Sequence, residues 1–182
     1  MLIIGITGTL GAGKGTIVDY LVRKKGFAHF SVRQYLINVM KQKGLEVNRD
    51  NMVVTANELR AKHSPSFIIE ELYANALKQK KNAVIESIRT PGEIDFLKKQ
   101  GNFLLLAVDA DPGIRYERIK LRQSDTDHID FKTFLENEQR EMTATDPNNQ
   151  NLRACIERAD IKLINNGTRE ELYRQLEEKL KL

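Results

Sequence analysis

The residues of this chain best equipped for chemistry lie at positions 8–16, which read Gly8-Thr9-Leu10-Gly11-Ala12-Gly13-Lys14-Gly15-Thr16. Four glycines in nine positions let a backbone curl until successive N–H groups point inward, and a following helix adds the partial positive charge of its N-terminus. Such a cradle takes phosphate oxygens. Lys14 adds a point charge suited to the outer phosphates of a nucleoside polyphosphate. Gly8, Gly11, Ala12, Gly13, Lys14, Gly15 and Thr16 are therefore the candidate phosphate-binding residues. The pattern is GxxxxGK, but Gly15 stands where the strict form has serine or threonine, so the first hydroxyl after the lysine is that of Thr16. A helix start that merely uses glycines would leave Lys14 unexplained.

The arginines form a second group. Arg115, Arg118 and Arg122 recur at i, i+3 and i+7, which puts them on one face of a helix. Phosphoryl transfer spreads negative charge over the transferring oxygens, and arginines can clamp that charge in a dry site. Arg115 is the one of the three that could equally be solvated. Asp125, Asp127 and Asp130 follow closely, so a structural ion network is the competing reading. Arg89 comes just after the apolar run 83–85, where it either serves a ligand or makes a surface salt bridge.

Composition limits what else the chain can be. It has 182 residues, 41% hydrophobic and 30% charged, enough for one core and one domain. A disordered chain would carry less apolar content, and a membrane protein would show a run of about 18 apolar residues, which is absent. The net charge of +4 comes from Lys/Arg and Asp/Glu mixed along the chain rather than from a basic arm, so nucleic acid is not an expected partner. The opening apolar run lacks a basic leader and a small-residue cleavage site, and a cytoplasmic protein is expected. Cys155 is the single cysteine and reads as a small buried hydrophobe. His29, His63 and His128 are scattered, which gives no support for a metal site of neighbouring ligands.

Positioning these residues falls to an alternation of strands and helices. Residues 2–7 form an apolar strand that runs into the glycine turn, and 15–25 have helical spacing. A short strand at 27–30 precedes a helix marked by Tyr35, Leu36, Val39 and Met40. Two further helices are predicted at about 50–63 and 65–80, the second with Ser64 as N-cap and Pro65 as its first residue. A third strand starts at 83–85, and Thr90-Pro91-Gly92-Glu93 is a capping box opening a helix. A fourth strand spans 103–108, with Asp111-Pro112 starting the next helix. Polar loops at 123–130 and 144–151 bracket a helix near 131–142. A fifth strand covers 161–164, and Thr168 with Glu171 caps a last helix bearing Leu172, Leu176 and Leu180. Near-continuous apolar strands alternating with helices predict an α/β protein with a five-stranded parallel sheet covered on both faces. Ligands of such sheets bind beyond the carboxyl ends of the strands.

The Gly13-Lys14-Gly15-Thr16 form resembles that of adenylate kinases and related nucleoside monophosphate kinases. The resemblance implies a three-layer P-loop NTPase fold and ATP and Mg²⁺ as cofactors, with Thr16 at a donor phosphate and Mg²⁺ held through Thr16 and, by way of water, Glu86. Glu86-Ser87-Ile88-Arg89-Thr90-Pro91 is similar to the Asp-Gly-Phe-Pro-Arg-Thr segment of adenylate kinases with one residue fewer, which implies that Arg89 holds the acceptor's phosphate. Tyr116 to Arg122 is similar to the helix entering the lid of these kinases, with Arg118 and Arg122 as its two catalytic arginines and Arg140 returning from the lid's far side. Asn57-Glu58-Leu59-Arg60 is similar to a segment of phage deoxynucleotide kinases and archaeal adenylate-kinase-related proteins, making Arg60 a further acceptor residue. The segment 159–168 resembles the border of the adenine pocket in dephospho-CoA kinases.

Ser31 occupies the place of the threonine in the adenylate kinase Thr-Gly-Asp motif, but Val32-Arg33-Gln34 follow, a departure that argues against adenylate kinase activity itself. Glu93 falls where adenylate kinases carry a base-reading glutamine. A carboxylate there accepts but does not donate, which favours adenine or cytosine, whereas the capping box explains the same residue without a ligand. The resemblance thus divides one domain into a core (1–30, 82–122, 152–182), an acceptor-binding helical insertion (about 31–81) and a lid (about 123–151).

The expected function is ATP-dependent phosphoryl transfer to a small phosphorylated acceptor, a nucleoside or deoxynucleoside monophosphate, by a monomer or homodimer. A dephospho-CoA kinase-like, hydroxyl-directed kinase ranks second, because no carboxylate follows strand two to act as a base. An ATP-binding regulatory or assembly module is the third reading. A GTPase switch is disfavoured by the lack of DxxG and NKxD.

Overall fold

The computed structural model describes residues 1–122 and 129–181. Fourteen elements follow in chain order among them: β1 (Ile3–Gly8), α1 (Lys14–Lys25), β2 (Ala28–Ser31), α2 (Val32–Gln42), α3 (Arg49–Lys62), α4 (Phe67–Gln79), β3 (Ala83–Glu86), α5 (Pro91–Lys99), β4 (Phe103–Asp109), α6 (Pro112–Arg122), α7 (Phe131–Met142), α8 (Leu152–Glu157), β5 (Ile161–Ile164) and α9 (Arg169–Leu180). The strands pair in the order β2-β3-β1-β4-β5, all parallel. β1 lies at the centre, with every residue buried.

Alternate residues of β1 feed two separate cores, as a period of two requires when both faces are covered. Ile4 and Ile6 pack with Ile17 and Leu21 of α1, Leu106 of β4, and Leu172 and Leu176 of α9. Ile3 turns to the other face, where Ile85, Leu105, Ile94 and Leu97 meet Ile68, Ile69 and Leu72 of α4. The glycine turn therefore issues from the most enclosed strand of the sheet.

Both predicted capping boxes are present, at Thr90–Glu93 and Thr168–Glu171. α4 starts two residues later than the Ser64-Pro65 signal implies. The hydroxyls of Ser64 and Ser66 both donate to Glu70 Oε1, at 2.8 and 2.6 Å, and the Pro65 carbonyl accepts from Thr90 Oγ1 at 3.2 Å. Residues 64–66 are thereby held as a turn, and the helix opens at Phe67. α8 was not expected. With six residues and only Leu152 and Cys155 buried, it is too short to show a helical period. Of the acidic loop expected at 123–130, Asp125, Asp127 and their neighbours lie outside the described residues. Cys155 is fully buried, and its thiol is pushed up to about 12 by burial and then by Glu93, which makes it inert as a nucleophile.

Candidate functional site

β1 delivers the chain into the glycine turn at the carboxyl end of the sheet. Gly13 has φ 105°, and a Cβ there would lie 2.3 Å from Asn165 Nδ2, so only glycine fits both the backbone and the approach of its neighbour. The buried Asn165 amide, just beyond β5, donates to Ala12 O at 2.8 Å and ties the turn to the far half of the sheet. No side chain caps α1; the Thr16 N–H donates to Gly13 O at 3.0 Å, and the Lys14 and Gly15 N–H groups are the ones open to an anion. Lys14 Nζ donates to Gly8 O at 2.9 Å and Thr9 O at 2.8 Å, folding the side chain back across the turn. Burial, with help from the charges of Arg89 and Arg49, lowers the Lys14 ammonium to about 7, against the opposing pull of Glu86 and Glu141.

A second layer holds the turn from outside. Thr9 Oγ1 donates to Asp109 Oδ1 at 2.5 Å. Arg115, only 2% exposed, donates through Nε to Ala110 O at 2.7 Å and through Nη1 to Leu10 O at 3.3 Å, and its fork closes on Glu138 of α7. Solvation of Arg115, the alternative left open by its sequence, does not occur. It joins α6, α7 and the glycine turn.

The turn opens on a cavity of about 660 Å³. Eight basic side chains line it: Lys14 of α1, Arg33 of α2, Arg49 and Arg60 of α3, Arg89 after β3, Arg118 and Arg122 of α6, and Arg169 of α9. Among the described lining residues the carboxylates are Glu86 and Glu141, and Arg60 is paired behind the wall with Glu93. Val32, Leu36, Met52, Val53 and Ala56 add an apolar wall from α2 and α3. A smaller cavity of about 220 Å³ adjoins Gly13 and Thr16 and is bounded by Arg118, Asn165, Gly167 and Arg169. Among the described residues, the buried side-chain polar atoms without a partner are Arg49 Nε, Arg118 Nη1 and Gln150 Oε1, and all belong to residues lining the larger cavity. Arg118 Nη2 reaches Gly167 O at 3.4 Å.

At the end of β3, Glu86 faces the cavity. Burial alone would raise its carboxyl, but hydrogen bonds with His29 and Ser31, and the charges of His29 and Lys14, hold it below its ordinary value. Ser31 also caps α2 by accepting from the Gln34 N–H at 3.2 Å, and it is absent from the cavity lining. Ser87, next along, has φ 72°, a left-handed backbone in a residue with a side chain, at the point where the strand turns toward Arg89.

Glu93 sits differently from its expected base-reading place. It is completely buried, with Oε1 accepting from Arg60 Nε and Nη2 at 3.1 and 2.8 Å and Oε2 accepting from the Arg89 and Thr90 N–H groups at 2.7 and 3.1 Å. Its lone pairs are used up in holding Arg60 and the Arg89 backbone. Arg60 is itself 1% exposed and meets the cavity only as part of its wall. Arg140 lies outside the lining, nearly half exposed and paired with Asp50 at 2.9 Å.

Five charged or amide lining residues were not named as candidates from the sequence: Arg33, Arg49, Glu141, Gln150 and Arg169. Glu141 of α7 is 4% exposed and bridges Arg49 Nη2 at 2.7 Å and Arg89 Nη1 at 3.1 Å. The sequence does carry a signal for two of them. Arg49 and Arg169 are each the first residue of a helix behind an N-cap, Asn48 or Thr168, where a cation opposes the helix dipole. A charge placed against its local preference is a reason to look for a ligand.

A family model described as an AAA domain matches residues 4–144. A UPF0200 protein of Methanococcus maripaludis is 30% identical over all of this chain and 97% of its own length. Another UPF0200 protein, of Methanocaldococcus jannaschii, is 29% identical over 97% of this chain and 88% of its own. Among solved structures, a shikimate kinase from Bacteroides thetaiotaomicron superposes with a TM-score of 0.60 at 16% identity, covering 100% of this chain and 99% of that one. A gluconokinase from Sinorhizobium meliloti gives 0.55 at 17% identity over 96% and 88%. The sheet order, helices on both faces and glycine turn are those of the P-loop kinase fold. Matched by its family model over well over half its length, and by a relative along all of it, the chain belongs to the AAA-domain family and to the UPF0200 proteins.

Proposed function

We propose that this protein transfers a phosphoryl group from ATP to a small phosphorylated acceptor, a nucleoside or deoxynucleoside monophosphate. The observation that carries this reading is the charge of the cavity: among its described lining residues eight are basic and two are carboxylates, and Arg60, one of the eight, is matched by Glu93 behind the wall. That imbalance suits two phosphate-bearing ligands meeting end to end. The donor's phosphates lie in the Gly8–Thr16 turn beside Lys14, and the smaller cavity takes its base. Arg118 and Arg122 serve the transferring group, and Arg89 with Arg49 serves the acceptor's phosphate. The apolar wall from α2 and α3 suits the acceptor's ring.

No general base is required, because a phosphate acceptor is already ionised near neutral pH. Among the described residues no cluster of three metal ligands exists. Thr16 and Glu86, both on the cavity, are oxygen donors of the kind Mg²⁺ takes alongside its waters. When bound, the ion neutralises charge on the phosphates. In this reading residues 31–81 are the acceptor-binding insertion and 123–151 the lid.

A hydroxyl acceptor is the second reading, favoured by the fold shared with shikimate and sugar kinases. Glu86 would be its base, since both oxygens of Glu141 are engaged by arginines. The lowered pKa of Glu86 makes it a weak one. The test is ADP release from ATP over a panel of nucleoside and deoxynucleoside monophosphates, dephospho-CoA, shikimate and gluconate. Turnover with monophosphates is expected. Turnover only with a hydroxyl acceptor would transfer the assignment to the second reading, and hydrolysis alone would leave a nucleotide-binding module.

A further inference from the structure

α3 begins Arg49-Asp50 and α7 ends Arg140-Glu141-Met142, and the two ends are joined by crossed ion pairs. The outer pair, Arg140 with Asp50 at 2.9 Å, is in solvent. The inner pair is buried. Glu141 sends one oxygen to Arg49 and the other to Arg89, whose side chains come from the helical insertion and from the end of β3.

A carboxylate in this position is costly to keep. It lies in the last turn of α7, at the negative end of the helix dipole, and Arg49 lies at the positive end of α3. The Glu141 side chain is 5% exposed and that of Arg49 15%. Two guanidiniums from different elements converging on one anion is also the geometry in which a phosphate is gripped. Arg49 Nε remains buried without a partner, so a single carboxylate leaves the grip incomplete. A phosphate, with one more oxygen and one more charge, could complete it.

We propose that Glu141 is a built-in stand-in for the acceptor's phosphate, filling the station between Arg49 and Arg89 until a dianion displaces it. The proposal rests on the phosphotransferase reading for the identity of the acceptor, but the station itself is defined by the three side chains. It makes Glu141 a specificity-determining residue. A neutral group cannot repay the breaking of two buried ion pairs, whereas a dianion held by the same arginines can. Displacement also undoes the inner half of the clasp, so that occupancy of the acceptor station loosens the hold of α3 on α7.

The probe is inorganic phosphate, titrated into the full chain above pH 7 without nucleotide. Phosphate held at Lys14 is removed from the comparison by taking only the binding lost in Arg49→Met. Glu141→Gln keeps the side chain's size and removes its charge. The Arg49-dependent affinity for phosphate should rise at least tenfold in Glu141→Gln. Unchanged or weaker binding would overturn the proposal and leave Glu141 as a group that merely orients the arginines.

Should Glu141→Gln fold poorly, hydrogen exchange on the parent protein decides. Phosphate should speed exchange in the last turn of α7, and slowed or unchanged exchange there contradicts displacement. The functional reading fails separately, by absence of transfer in the acceptor panel, and phosphate binding at this station does not depend on that result.

Discussion

Lys14 couples the site to pH. Its folded pKa of about 7 lies below the ordinary 10.5, so between these values the unfolded chain holds the extra proton and stability rises with pH. Thermal melts of the ligand-free protein should show this rise from pH 7 to 9, and Lys14→Met should flatten it. In turnover, the same replacement should cost about 2.7–4 kcal/mol of transition-state stabilisation, the typical loss of one preorganised donor. A well-folded Lys14→Met enzyme with unchanged kcat would remove the kinase reading. Glu93 makes the opposite case, because it supports the fold. Glu93→Gln leaves Arg60 buried without its counter-charge, and breaking such a pair costs about 3–5 kcal/mol. Its melting temperature should fall by about 2–4 °C per kcal/mol, with the ranking of acceptors retained. A parent-like melting temperature with a changed ranking would return Glu93 to base reading.

At the scale of the element, α6 carries two kinds of arginine on one helix. Arg115 is bound to the glycine turn, to its own helix's approach and to Glu138, whereas Arg118 and Arg122 face the cavity. Arg115→Met should therefore destabilise the fold by about 3–5 kcal/mol, the cost of opening a buried ion pair. Arg118→Ala and Arg122→Ala should lower kcat strongly and change stability by about 1 kcal/mol or less. Denaturant melts set beside initial rates separate the two classes. A large stability loss with normal kcat at Arg118 would favour an ion network over catalysis. The helix starts show the same division of labour. α5 and α9 open with complete capping boxes, while α1 begins at a glycine with no side-chain cap. α4 also starts without a side-chain cap, but the uncapped start of α1 opens on the glycine turn and the cavity.

For the molecule as a whole, the small net charge of +4 conceals a large local imbalance. Eight of the 29 Lys and Arg residues line the larger cavity at the carboxyl end of the sheet. A polyphosphate ligand should be steered to that end, so its association rate should drop steeply with added salt, as steered association does. Stopped-flow binding of a fluorescent ATP analogue between low and physiological ionic strength checks this, and a salt-independent rate would contradict it. Saturating nucleotide should also raise the melting temperature, because a ligand at about 100 times its Kd adds about 2.7 kcal/mol.

Local rules in the sequence were enough for the parallel sheet, its helical cover, both capping boxes and the glycine turn. Each of these is set by neighbours in the chain: apolar runs of strand length, Thr-x-x-Glu spacing, and four glycines within nine positions between an apolar run and a helix. Cavity-lining residues were legible at the ends of strands, where Glu86 closes β3, Arg89 follows it and Lys14 follows the turn after β1, and at Arg118 and Arg122 from helical spacing. Tertiary structure decided which arginines reach the cavity and which are spent elsewhere. Arg115 and Arg118 are three residues apart on one helix, yet Glu138, 23 positions from Arg115, takes the first out of the site. Glu141 meets Arg49 across 92 positions and Arg89 across 52. Glu93 became a buried support because α3 brings Arg60 against it from 33 positions away. Helical period places a side chain on a face, but the partner that claims its charge is chosen by which distant helix end packs against that face.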